Sequence, residues 1–116
     1  MALFVIFENF IKYSPDRKPI SVTIDESADE VILSFRGYGP VATPSEAGRV
    51  FEWEFRAEMA KRMTNNGSGI GLHFAKEVCD LHGFRISFSQ ESEDKHSQSG
   101  IDYFKTTVAI EIFKNV

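Results

Sequence analysis

Apolar residues recur at helical spacing from about Leu3 to Tyr13, and Ser14-Pro15-Asp16 stops the run, because proline disfavours a helical conformation in the residue before it. A first helix is predicted there. Ile20 to Ile24 alternates apolar and polar side chains, as does Val31 to Phe35, and the polar Asp25 to Glu30 suits a hairpin connection between them. These read as two antiparallel strands. From Gly37 to Asn66 the periodicity is weak, although Pro44-Ser45-Glu46 suits a short helix start and Phe51, Trp53 and Phe55 form an aromatic patch. The segment reads as a long loop, and loops of that length in a compact domain often act as lids. Ile70, Phe74, Val78 and Leu81 then take one helical face and His73, Lys76, Glu77 and Asp80 the other, with Gly83 placed to end the helix. Phe84 to Phe88 alternates again, Ser89 to Gly100 is polar, and Tyr103 to Phe113 resumes strand spacing.

The order helix, two strands, long loop, helix, two strands predicts an α+β fold, a two-layer sandwich with helices on one face of a mostly antiparallel sheet. The chain has 116 residues, of which 42% are hydrophobic, enough for one core; a single domain over residues 1–116 is expected. A net charge of −4, from 13 basic and 17 acidic residues, supplies no electrostatic reason to bind nucleic acid or an anionic membrane. The apolar run from Met1 to Phe7 meets Glu8 and Asn9 far short of the ~20 residues of a membrane span, and it lacks the basic start of a signal peptide. Cys79 is the only cysteine, so no internal disulfide forms, a reducing cytoplasm is the natural setting, and a core thiol is expected. Asn66-Gly67-Ser68 matches a glycosylation sequon but carries no weight without secretory features. There is no Cys/His cluster for zinc and no recognisable nucleophile–base pair.

The densest chemical signal is Asn66-Gly67-Ser68-Gly69-Ile70-Gly71-Leu72, with glycines at alternate positions leading into an amphipathic segment. Glycine lets the backbone approach a ligand without a Cβ in the way, and the N–H groups of a helix's first turn attract anions. The stretch reads as a phosphate cradle for a nucleotide. A plain glycine-rich turn before a helix would look the same in isolation.

Three further stretches decide between them: Glu8-Asn9-Phe10-Ile11-Lys12-Tyr13-Ser14-Pro15, Gly39-Pro40, and Val50-Phe51-Glu52-Trp53-Glu54-Phe55-Arg56. Together with Gly67-Ser68-Gly69-Ile70-Gly71-Leu72 and Leu81-His82-Gly83, in this order over nearly the whole chain, they resemble the ATP-binding domain of sensor histidine kinases, of the GHKL (Bergerat) type. The resemblance implies ATP and magnesium as ligands. It matches Asn9 to the asparagine that holds magnesium against the phosphates, Lys12 to a phosphate-contacting lysine, and Tyr13 to a residue packed beside the nucleotide. Gly39 falls in the adenine-side motif, Phe51, Phe55 and Arg56 in the lid, and Gly67, Ser68, Gly69, Ile70, Gly71 and Leu72 in the phosphate loop. Lys61 and Arg62 could add positive charge near a triphosphate; the plain alternative for this segment is a hydrophobic mini-core with solvated cations. At about 100° per residue Glu8, Asn9 and Lys12 share one face, which a solvated strip with an i,i+4 ion pair would also produce.

The family pattern is broken in two places. Val5, at the centre of the polar strip, stands where a second asparagine is usual, and an isopropyl group neither donates nor accepts a hydrogen bond. The register set by Gly39-Pro40 places Gly37 where the family has the aspartate that accepts from the adenine amine, and Val31 to Ser45 contains no Asp or Glu. Arg36 is a donor only. A hydrogen bond to a charged group is worth roughly 1.5–3 kcal/mol, so adenine nucleotides should bind about ten- to a hundred-fold more weakly and with reduced base selectivity.

Members of the family have a strand and a helix before the asparagine helix, so the chain reads as N-terminally shortened. Leu3, Phe4, Ile6, Phe7, Phe10 and Ile11 spread apolar surface round much of the first helix, which points to a homodimer through it. His73, His82 and His96 lie on a helix face, at a helix end and in a polar loop, none placed as a phosphoacceptor. The expectation is therefore a degenerate histidine-kinase ATP-binding domain with weak magnesium–nucleotide binding and no kinase activity of its own. Its partners would be a parent kinase's dimerisation domain or a response regulator. The alternatives are a protein–protein interaction module that kept the fold, or a serine kinase of the anti-sigma type.

Overall fold

The computed structural model describes residues 2–52, 55–63 and 71–114. In chain order these form α1 (Ala2–Tyr13), β1 (Ser21–Glu26), β2 (Glu30–Pro40), α2 (Pro44–Ala47), α3 (Glu58–Met63), α4 (Gly71–His82), β3 (Arg85–Gln98) and β4 (Ile101–Phe113). The sheet has four strands in the order β1-β2-β4-β3, every neighbouring pair antiparallel. One face lies against the helices. Phe35, Ile86, Val108 and Ile110 from that face close a core with Ile6 and Phe10 of α1 and Ala75 and Cys79 of α4. This is the expected two-layer α+β sandwich.

Local chemistry explains how two of the elements end. Gly83 at φ +73° follows α4, with its N–H donating to the Asp80 carbonyl (3.2 Å) and the Phe84 N–H to that of Cys79 (2.8 Å). That pair of bonds satisfies the orphan carbonyls of the last turn, and Phe84 packs onto the core, so the predicted stop at Gly83 holds. The β3–β4 hairpin turns on Ser99 (φ +55°) and Gly100 (φ +78°), a two-residue connection with both residues left-handed, which matches the twist of the flanking strands.

Several expectations are corrected. Gly37 to Pro40 belongs to β2, and the supposed loop beyond it carries α2 and the short α3. The polar run from Ser89 is the outer half of β3 up to Gln98, and His96 therefore lies on a strand, its ring 5.8 Å from Tyr38 and 6.0 Å from Tyr103. On α4 the inward face is Leu72, Ala75 and Cys79, whereas Phe74 and Leu81 are exposed at 43% and 84%. Small side chains let α4 approach α1 closely, and Ile6 and Phe10 supply the volume between them. Cys79 is the core thiol expected, and burial pushes its pKa up. The aromatic patch does not hold together, since Phe51 packs on the main core and Phe55 on a second cluster; Trp53 lies outside the described residues. Of the apolar residues on α1, Ile6 and Phe10 are buried while Leu3, Phe7 and Ile11 are exposed. No described helix is long and apolar enough to cross a membrane.

Candidate functional site

A cavity of about 640 Å³ opens between α1, the start of α4, α3 and the inner face of the sheet. The periodicity of α1 builds one wall. With Ile6 and Phe10 committed to the core, Val5, Asn9 and Tyr13 recur one turn apart along the cavity and Lys12 reaches its edge. Asn9 and Tyr13 are half-buried, Glu8 and Lys12 exposed, and the Lys12 ammonium sits 5.4 Å from the centre of the Tyr13 ring.

Gly71 and Leu72, in the first turn of α4, form the adjoining wall. A Cβ added at Gly71 would stand 3.2 Å from Val5 Cγ1. The Val5 isopropyl group thus packs directly on the helix start and lines the cavity there with hydrocarbon. Gly67, Ser68, Gly69 and Ile70 lie outside the described residues.

The third wall comes from the segment between β2 and α4. Ala42, Ala57 and Ala60 are buried together, with Tyr13, Phe55 and Phe88 packed on them, and Phe55 and Arg56 line the cavity. Arg56 is half-buried, its Nη2 donating to the Ala60 carbonyl at 3.4 Å, and Arg49 stacks its guanidinium 4.5 Å over the Phe55 ring. The mini-core and the cavity wall are the same structure. Lys61 is not on that wall; it lies 3.9 Å from Glu58 on an exposed helix face. The side chain of Arg62 is outside the described set.

Glu46 holds this wall in place. Thr43 and Glu46 form a capping box at the start of α2, with the Thr43 N–H donating to Glu46 Oε1 at 2.8 Å, and the Glu58 N–H at the start of α3 donates to Glu46 Oε2 at 2.9 Å. The Thr43 and Glu58 amides lower the pKa of this carboxyl below its ordinary value of 4.5. On the other side of the segment, the Phe51 carbonyl lies 3.0 Å from His73 Nδ1, whose ring reaches Glu77 at 3.0 Å through Nε2.

The floor of the cavity is the inner face of the sheet. Gly37 stands opposite Thr106, and Thr106 opposite Gln90, in one row across the inner face of β2, β4 and β3. A Cβ at Gly37 would meet Phe10 Cδ1 at 3.2 Å and Ile20 Cγ1 at 3.5 Å, so position 37 is surrounded by hydrocarbon. Gln90 and Thr106 do line the cavity, and the sequence did not single them out. The signal that points to Gln90 is its place two residues beyond Phe88, in phase with Ile86 and Phe88, within a run otherwise too polar to show its alternation.

Residues 1–114 match the family described as histidine kinase-, DNA gyrase B-, and HSP90-like ATPase. Among curated proteins, the chain is 33% identical over 85 residues to the sensor histidine kinase YkoH of Bacillus subtilis, covering 73% of this chain and 18% of that protein. It is 32% identical over 96 residues to the sensor protein VanS of Enterococcus faecium, covering 79% and 24%. The chain thus spans a quarter or less of these relatives. Among solved structures, the mycobacterial sensor histidine kinase MprB superposes with a TM-score of 0.77 at 26% identity, over 97% of this chain and 69% of that one. The catalytic domain of histidine kinase ThkA, in a nucleotide-free form, gives 0.71 at 20% identity, over 97% and 65%, a likeness of fold.

Proposed function

The chain belongs to the histidine kinase-, DNA gyrase B-, and HSP90-like ATPase family, as an ATP-binding domain of the sensor histidine kinase kind, and from that premise we propose that it is a degenerate, pseudokinase-like member. It would bind magnesium–nucleotide weakly in the cavity and transfer no phosphate by itself. One observation carries this reading: Asn9, Lys12, Tyr13, Gly39, Phe55, Arg56, Gly71 and Leu72 converge on one cavity that Val5 lines with an isopropyl group, while a side chain at Gly37, which is not on the cavity wall, would meet carbons of Phe10 and Ile20.

The residues present fit a nucleotide in parts. The anion end is the start of α4, where first-turn N–H groups favour phosphate, with Lys12 at the edge and the glycines before Gly71 expected to continue the cradle. Asn9 would hold magnesium through the phosphates, and no group of three or more His, Cys, Asp or Glu among the described residues is placed to hold the ion unaided. Bound magnesium would neutralise phosphate charge. Tyr13 and Phe55 offer apolar faces to the sugar and base, and Arg56 adds positive charge to the same wall. Phosphoryl transfer depends on positioning and charge stabilisation, and Val5 contributes neither, so the chain binds without orienting an attacking group. In the cell this domain would act in the cytoplasm beside a kinase dimerisation domain or response regulator.

Calorimetric titration with ATP, GTP and ADP, with and without magnesium, tests the proposal. The expected result is an affinity about ten- to a hundred-fold below that of a family member with the carboxylate, improved by magnesium, with no phosphorylated protein formed. Tight binding or autophosphorylation would overturn it. A second reading, self-association through α1, is favoured by the exposed Leu3, Phe7 and Ile11, which recur one turn apart. A monomer by light scattering at tens of micromolar rejects that reading.

A further inference from the structure

At one end of the sheet, β3 carries Arg85, Glu91, Glu93, Asp94 and Lys95, and its pairing with β4 shifts register between Glu91 and His96. Charge and irregular pairing guard an edge against the addition of another strand. At the other end, β1 has no basic residue, its register with β2 runs unbroken from Ser21 to Glu26, and all of its residues are exposed. Val22 and Ile24 stand opposite Phe35 and Leu33, so they lie on the inner face, yet they are 46% and 67% exposed. This edge is open in both its backbone and its apolar side chains.

The edge is also complementary to itself. The Ser27 N–H donates to the Glu30 carbonyl at 2.9 Å, which closes the β1–β2 hairpin on a directly opposed, bonded pair. Bonded and non-bonded pairs alternate along an antiparallel ladder, so Ser21, Thr23 and Asp25 turn their backbone groups to β2 while those of Val22 and Ile24 point outward. A second β1, laid antiparallel with Thr23 opposite the partner's Thr23, brings Val22 against the partner's Ile24 and Ser21 against the partner's Asp25 on both sides of the axis. The outward N–H and C=O groups of Val22 and Ile24 then bond reciprocally, their side chains pair on the inner face, and no like charges stand opposed. Moving one strand by two residues sets Val22 against the Glu26 carboxylate in one direction and leaves only Ser21 to Thr23 paired in the other. We infer that β1 is the seam of a homodimer, in which two copies of this chain share one continuous antiparallel sheet across a two-fold axis at Thr23. The inference rests on the self-association reading above only in expecting a dimer, and it moves the seam from α1 to β1; it is independent of the nucleotide reading.

Light scattering and oxidative cross-linking of the whole chain test the inference. At tens of micromolar the scattering mass is expected to be twice that of one chain, and Ile24→Lys, which puts a charge on the open edge, should return it to one. Phe7→Glu, on the exposed flank of α1, should leave the dimer intact. Thr23→Cys reports the register, because opposed residues that exchange no backbone bonds have Cα atoms about 4.5 Å apart, within disulfide reach. Asp25 would lie about 13 Å along the strand from its own counterpart. Mild oxidation should therefore link two Thr23→Cys chains covalently and leave Asp25→Cys unlinked, with the buried Cys79 supplying no competing thiol. Thr23→Cys also serves if Ile24→Lys does not fold. A monomer overturns this inference and the α1 reading together. A dimer that survives Ile24→Lys but dissociates in Phe7→Glu overturns the β1 seam and keeps α1, and linkage at Asp25→Cys without linkage at Thr23→Cys overturns the two-fold register.

Discussion

The two ends of the cavity are built on opposite plans. At the floor, short side chains and backbone groups from β2, β3 and β4 hold one another through bonds of 2.9–3.1 Å, and their positions are set before any ligand arrives. At the α1 edge, Glu8 and Lys12 are long, exposed and solvated. A preorganised floor discriminates and is intolerant of change; a solvated edge contributes long-range attraction and tolerates change. Mutations at the floor should therefore register as stability, and mutations at the edge as affinity.

The largest effect is expected where restoration of the family pattern is attempted. Gly37→Asp would place a carboxylate against Phe10 and Ile20, so unfolding in urea should show a loss of about 2–4 kcal/mol and no gain in ATP affinity. Unchanged stability with tighter ATP binding would mean that the floor is more yielding than its packing indicates. Next comes Gly39→Ala, which drives Thr106 from its bonds and should cost about 1–3 kcal/mol by the same measurement. Glu46→Ala, on the third wall, removes a cap shared by α2 and α3 and should cost about 1 kcal/mol.

The Glu46 carboxyl also sets a pH dependence. Its folded-state pKa lies below 4.5, so its stabilising contribution is complete above that value and lost as pH falls through the folded-state value. Glu46→Gln should flatten that acid limb of the stability curve. Smallest in stability is Lys12→Ala, within about 0.5 kcal/mol, although its nucleotide affinity should fall several-fold and become less salt-dependent. A Lys12 variant that lost stability but kept affinity would reverse the contrast between floor and edge.

What could be read in advance follows the same physical divide. The α1 strip, the Gly83 stop, β2 and β4 are legible because each has large apolar residues at the period of one packed face, or a glycine that the backbone requires, while β1 shows its alternation through Val22 and Ile24 although both are exposed. The outer half of β3 is not, since Glu91 to Lys95 lie beyond the helical layer, are exposed, and have no burial to imprint alternation. Helix α3 is only Glu58–Met63, and its segment packs through Ala57 and Ala60, too small to mark a face. The α4 face is hidden for the same reason: Ala75 and Cys79, not Phe74 and Leu81, are the residues that let two helices touch. Along the site, Asn9, Lys12, Tyr13 and Gly39 stand out by spacing and resemblance. Gln90 does not, because its meaning comes from Thr106 and Pro40 on other strands.

One carboxylate closing the first turns of both α2 and α3 means that neither helix has an independent beginning. Fraying at Thr43 releases Glu58 as well, so the stretch from β2 to α3 should open as a single cooperative unit and not residue by residue. A molecule that settles Phe55 or Arg56 would then be felt at Thr43, and amide hydrogen exchange at Glu46 and Glu58 should slow together when the cavity fills.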